Sequence, residues 1–150
     1  MKADIGPEKG LSAPISYPDP FKEKHAGRTT GPLTRQFGLT QFGVNRVELP
    51  PGCWSTQRHW HSVNDEAVIM ISGELTLVTD EGEETLRAGD CVCFKAGVEN
   101  AHHLQNRSDQ PAVFYDIGGR DAYDVSTFPE MGLKARVKMR LDWRPIDKKP

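Results

Sequence analysis

Three of the five histidines in this 150-residue chain fall into a layout with one glutamate that could hold a metal ion. His59 and His61 are two apart, and residues two apart in a strand point to the same face. Two imidazoles on one face, one pleat apart, can reach a single ion at about 2.0–2.2 Å. The polar stretch Ser62-Val63-Asn64-Asp65 can turn the chain. The strand that begins at Glu66 then runs back alongside and presents a carboxylate oxygen to the same point. A further imidazole, from His102 or His103, arrives from a distant strand. Three neutral imidazoles and a carboxylate leave open positions on an octahedral ion, and the mixed N/O set suits Mn, Fe, Co, Ni or Zn more than Mg or Ca. A His-x-His pair alone is common by chance. The added glutamate and the second histidine pair give this one its weight.

Strands must position these groups. Gly (14) and Pro (11) punctuate the chain, which favours many short strands over long helices. Gly38–Leu49 reads as a strand stopped by Pro50-Pro51-Gly52. Trp54–His61 is a second extended run. Glu66–Ser72 is apolar, Gly73 makes a tight turn, and Glu74–Thr79 alternates with Leu75 and Leu77 on one face. Asp80-Glu81-Gly82 is a hairpin signal before Glu83–Arg87. Cys91–Phe94 reads as a short buried strand, and His102–Asn106 and Ala112–Ile117 complete about eight strands at turn spacings of 8–12 residues. No strand alternates with an amphipathic helix. The pattern suits an all-β sandwich or jelly-roll barrel.

The residues resemble the cupin family. Gly52, His59-Trp60-His61, Glu66 and Gly73 look like the first cupin motif, with one extra residue before the first histidine. Gly89-Asp90-Cys91-Val92-Cys93-Phe94-Lys95-Ala96-Gly97 looks like the start of the second, with Lys95 in place of its proline. His102 and Asn106 match its ending, with the histidine two residues late. The resemblance covers about Phe42 to Gly118 and implies a double-stranded β-helix with a metal at the barrel mouth. It implies His59, His61, Glu66 and His102 as ligands. Alternation also favours His102 over His103: residues 102, 104 and 106 share one face, and His103 and Gln105 point out. By the same alternation Ser55 and Gln57 share the face of His59 and His61, opposite Arg58 and Trp60. Gln57 is then a candidate substrate contact or support for a ligand.

Cys91 and Cys93 lack a second ligand pair and read as small buried core residues, and three cysteines fit no disulfide framework. The simple setting is a reducing cytoplasm. Arg46, Arg107 and Arg120 could serve an anionic substrate, but single arginines on strands usually pair with carboxylates or face water. A net charge of −2 argues against a nucleic-acid partner. No apolar run is long enough to span a membrane.

Residues 1–34 read as an N-terminal arm over the barrel or a partner, the first dozen equally well as a disordered leader. Residues 35–120 form the barrel core. Residues 121–150 form an extension with one short helix or a last strand, packed on the barrel or a partner, and its basic tail runs from Lys134 to Lys149. Open sheet edges and two arms point to a homodimer.

The expected function is that of a metal-dependent cupin acting on a small carbonyl or hydroxyl compound, as in proteins labelled sugar-phosphate isomerases. Glu66 is the expected catalytic base where it is not a tight ligand. No clear phosphate cradle stands in the sequence. An Fe(II) dioxygenase-type cupin and a non-catalytic small-ligand binder are the alternatives.

Overall fold

The computed structural model describes residues 17–138 and 140–145, with side chains as far as Arg136. The segments 1–16 and 146–150, which hold the whole of the expected leader and the end of the basic tail, lie outside the described residues. So do the side chains of Leu141 and Trp143.

The strands run in chain order as β1 (Thr29–Pro32), β2 (Phe42–Leu49), β3 (Trp60–His61), β4 (Glu66–Ser72), β5 (Glu74–Thr79) and β6 (Gly82–Arg87). They continue as β7 (Cys91–Phe94), β8 (His103–Gln105), β9 (Ala112–Gly119), β10 (Val125–Phe128), β11 (Leu133–Lys138) and β12 (Arg140–Pro145). One sheet has the order β1-β2-β9-β4-β7, a second β12-β11-β10-β3 and a third β6-β5-β8. The paired strands are antiparallel, and successive residues alternate between the two faces of each sheet.

The core sits between the five-stranded and three-stranded sheets. Val47, Leu49, Val68, Met70 and Phe114 from the first meet Leu75, Leu77, Leu86 and Leu104 from the other. Burying each such side chain contributes about 1.5–3 kcal/mol, so this layer dominates the stability of the barrel. A smaller cluster of Tyr17, Phe128 and Ala135, flanked by Phe21 and Met131, fastens the first described residues to β10 and β11.

The tight turn between β4 and β5 depends on Gly73. Its φ is +77°, and a Cβ there would lie 2.7 Å from the Pro111 carbonyl oxygen and 2.8 Å from Ala112 Cα. Only glycine fits both the left-handed backbone and the close approach of β9.

The structure differs from the sequence reading in four places. Residues 29–32 form a strand paired with β2, and the segment after residue 120 supplies three strands rather than one. Cys91 and Cys93 are exposed, not buried. β7 is an edge strand whose Val92 and Phe94 pack on the core, so its cysteines take the outer face. The run Trp54–His61 is extended, but only its last two residues form a regular strand; upstream it is tied to residues 102–106 by bonds such as Ser55 N–H to Leu104 C=O.

Candidate metal centre

Neighbouring strands bring the four expected ligands together. His59 and His102 form an antiparallel bridge, each backbone N–H bonding the other's carbonyl at 3.2 and 3.0 Å. His61 ends β3 and lies opposite Ser126 of β10. Glu66 opens β4, between Phe94 of β7 and Gly118 of β9. One donor atom from each of His59, His61 and Glu66 lies within 4.8 Å of the others. His102 Nε2 stands 2.9 Å from Glu66 Oε2, and His61 Nε2 stands 3.8 Å from the same oxygen. Phe94 stacks on the His102 ring with centroids 3.5 Å apart and blocks its other side.

Each imidazole is oriented through Nδ1. His59 Nδ1 faces the Gln57 carbonyl at 3.0 Å, His61 Nδ1 faces Asp124 Oδ2 at 2.6 Å, and His102 Nδ1 faces the Asn100 carbonyl at 3.3 Å. All three partners are acceptors, so each Nδ1 carries the proton and each Nε2 holds a lone pair. In a neutral ring the His102 lone pair then faces a carboxylate oxygen at hydrogen-bond distance, acceptor against acceptor. A cation among these groups resolves that conflict. The donor set therefore fits a divalent transition metal, which takes neutral imidazole and carboxylate together.

The electrostatics run the same way. Burial pushes His59 down to about 3, against the pull of Glu66, so its ring is neutral. Burial alone would raise Glu66; with no cation present, a proton on His102 Nε2 donated to it, followed by the other imidazoles, holds it below the usual carboxylate range, so the carboxylate draws positive charge to this point. Burial alone would lower His61, and the bond to Asp124 with the nearby carboxylates reverses this.

Sequence reasoning missed Asp124. It is wholly buried, and it accepts from His61 Nδ1 as well as from the Val63 and Asn64 N–H groups at 2.9 and 3.2 Å. It lies 63 positions beyond His61 in a stretch without pattern, and no sequence signal marks it. Asp116 was also missed, although a charge between Phe114 and Gly118 on one face of a core strand was a readable sign. Its carboxylate accepts from Asn45 Nδ2 at 3.0 Å, and burial followed by the nearness of Glu66 raises it.

Other expectations resolve plainly. His103 lies on the face away from the cluster, as alternation requires, but it is buried rather than solvent-facing. Its Nδ1 bonds the Thr56 carbonyl at 3.0 Å, and its ring meets Trp54 edge-on at 4.7 Å. Gln57 does not reach the cavity. Its side chain bonds the Phe21 carbonyl and His25, and its own N–H bonds the Tyr17 hydroxyl at 3.1 Å, so only its carbonyl serves the centre. Arg46 pairs with Glu48 and Arg107 with Glu83, while Arg120 bonds Leu39 O and Thr34 Oγ1.

A cavity of about 240 Å³ opens onto the cluster, walled by Arg28, Asn45, Asn64, Asp116, Ser126 and Phe128 beside His59, His61 and Glu66. No helix among the described residues is long and apolar enough to cross a membrane.

Known proteins share this fold. The family model for the cupin domain matches residues 45–118. No protein of curated function matches the chain. The solved structure of a sugar phosphate isomerase of the cupin superfamily from Silicibacter pomeroyi DSS-3 is 34% identical, covers 100% of this chain and 96% of its own, and has a TM-score of 0.87. A protein from Acidithiobacillus ferrooxidans ATCC 23270, provisionally named a sugar phosphate isomerase, is 29% identical over 80% of this chain and 76% of its own, with a TM-score of 0.72. The polyketide cyclase RemF from Streptomyces resistomycificus shares the fold at 18% identity and a TM-score of 0.58, over 99% of this chain and 81% of its own. The chain belongs to the cupin superfamily.

Proposed function

We propose that this cupin is a metal-dependent enzyme acting on a small carbonyl or hydroxyl compound, in an isomerase-type reaction. The observation that carries this reading is the convergence of His59, His61 and Glu66, with His102 on Glu66, at a polar cavity large enough for a molecule of a few carbons. A Zn, Mn, Fe, Ni or Co ion held there would supply Lewis-acid polarisation of a carbonyl. The residues of the chain do the rest. Asp124, Gln57 and Asn100 hold the three rings in one orientation. Phe94 and Phe128 keep water from the back of the rings. Glu66, expected as the base, is engaged by His102 and by the cluster. Asp116 stands in the cavity wall outside the ligand set and is the carboxylate placed to take a proton from a bound ligand. The names of two similar structures support the isomerase class.

One observation favours a second reading. The tight cluster contains His59, His61 and Glu66 without His102. With His102 protonated on both ring nitrogens and donating from Nε2 to Glu66, the set becomes two histidines and one carboxylate, the arrangement of Fe(II) oxygenases. Elemental analysis of the purified protein tests both readings. It is followed by activity screens with Zn or Mn without oxygen and with Fe(II) in air. A protein that binds none of these metals refutes both.

A homodimer belongs to the same proposal. Ala67, Ile69 and Ile71 point away from the core on β4, beside Cys91, Cys93 and Ile117, and give the five-stranded sheet an apolar outer face that a second copy would cover. The unpaired Cys91 and Cys93 suit a reducing, cytoplasmic setting.

A further inference from the structure

The geometry points to Arg28 as the anchor for a carboxylate on the ligand, which makes the substrate a small hydroxy or oxo acid rather than a neutral sugar or a phosphate ester. This rests on the metal-dependent reading of the same cavity and narrows its substrate class.

Arg28 follows the turn after His25 and immediately precedes β1, and its side chain reaches the barrel interior. It lines the cavity that holds His59, His61 and Glu66, and also the smaller one behind it that holds His102. Its Nε is fully buried and, among the described residues, has no hydrogen-bond partner; the guanidinium makes no ion pair within salt-bridge distance among them either. A buried guanidinium with an unused N–H is costly unless something else in the cavity accepts from it. The other arginines discussed above are engaged by carboxylates or carbonyls. Arg28 is the exception, and it faces the candidate reaction site.

The charge of the surroundings selects the ligand. Asp116 is the strongest charged neighbour of Arg28, and Glu66 also acts on it. With the divalent ion of the metal-dependent reading in place, its two charges and the one guanidinium against two carboxylates leave a single positive charge, which a monoanion balances. A phosphate dianion there would leave excess negative charge beside both carboxylates, and a neutral diol would leave the buried N–H unmet. A carboxylate matches the planar fork of the guanidinium and accepts two of its N–H groups at once. A short hydroxy or oxo acid then places its other oxygen toward the histidine cluster.

The test is calorimetric binding of lactate, 1,2-propanediol and inorganic phosphate to the wild type, Arg28→Met and Arg28→Lys, each with and without zinc. The zinc-loaded wild type is expected to bind lactate. Arg28→Met should bind it at least about tenfold more weakly, on the scale of one charge-assisted pair, with Arg28→Lys between them. Zinc affinity and the weak binding of 1,2-propanediol should be the same in all three. Lactate binding that is absent from the wild type, or equal in wild type and Arg28→Met, overturns the assignment. So does tighter binding of phosphate than of lactate. Failure of the metal reading looks different: the wild type takes up no zinc, or His59→Ala takes up as much as the wild type, whatever lactate does. Melting curves of both Arg28 variants, with Arg28→Lys as the conservative control, separate lost binding from lost fold.

Discussion

Asp124→Asn is a nearly isosteric change whose effect can be worked out atom by atom. In the wild type one carboxylate oxygen accepts from His61 Nδ1 at 2.6 Å, and the other accepts from Val63 N–H and Asn64 N–H at 2.9 and 3.2 Å. The amide can keep its oxygen on the two backbone donors. Its NH₂ then faces the His61 Nδ1–H, donor against donor, at a site with no solvent exposure. Moving the His61 proton to Nε2 removes that clash, but it fills the lone pair needed toward Glu66 and His59. Metal affinity should therefore fall by about 10- to 100-fold, or about 1.4–2.7 kcal/mol. The metal-free fold should lose roughly 1–3 kcal/mol from the weakened buried network. Zinc competition against a chelator measures the first effect, urea unfolding of the zinc-free protein the second. Ring ¹⁵N shifts of His61 report the tautomer directly. Zinc affinity within twofold of the wild type, with the proton still on Nδ1, would refute the claim that Asp124 orients the ligand.

Other outcomes follow from the same structure. His102→Ala should weaken zinc binding about tenfold or more, and His103→Ala should leave it nearly unchanged, since its ring is held by Thr56 and Trp54; zinc titration of both decides, and a reversed pattern refutes the register. Gly73→Ala should lower the melting temperature sharply, because its Cβ would meet backbone 2.7–2.8 Å away at a positive φ; an unchanged melt would contradict the turn. Burial raises Tyr17 to about 12, against the pull of the Gln57 N–H and Arg28, so the unfolded chain ionises first and stability should fall as pH rises from about 10 to 12. Tyr17→Phe should remove that part of the slope in urea titrations. The mass in solution should be twice the chain's 16.7 kDa, and light scattering at micromolar concentration checks it.

Much of this fold could be read from local pattern. Alternation gave Leu75 and Leu77 to one face, and Gly73 and Asp80-Glu81-Gly82 marked real turns. Spacing alone brought His59, His61 and Glu66 together, because pleat and turn geometry are set within a few residues, whereas His102, 36 positions beyond Glu66, came from the family resemblance and from alternation on its own strand. Cys91-Val92-Cys93-Phe94 was misread because a period of two looks the same whichever face is buried. Position at the sheet edge decides it, and that is a property of the whole topology. Asp124 and Arg28 gave no signal because the groups they lie near are remote in sequence. His61 meets Asp124 across 63 positions, and Arg28 reaches the barrel from a segment without strand pattern.

Gln57 joins two of these regions. Its side chain holds Phe21 and His25, and its carbonyl steers His59. The groups that orient the centre thus reach from this early segment to Asp124. Such high sequence separation makes ion capture a whole-chain event. A nascent chain that ends before Asp124 would carry all four ligands yet lack the carboxylate that sets His61. Acquisition of the ion would then follow the completion of folding, and metal content would report on the integrity of the entire polypeptide rather than on its central motifs.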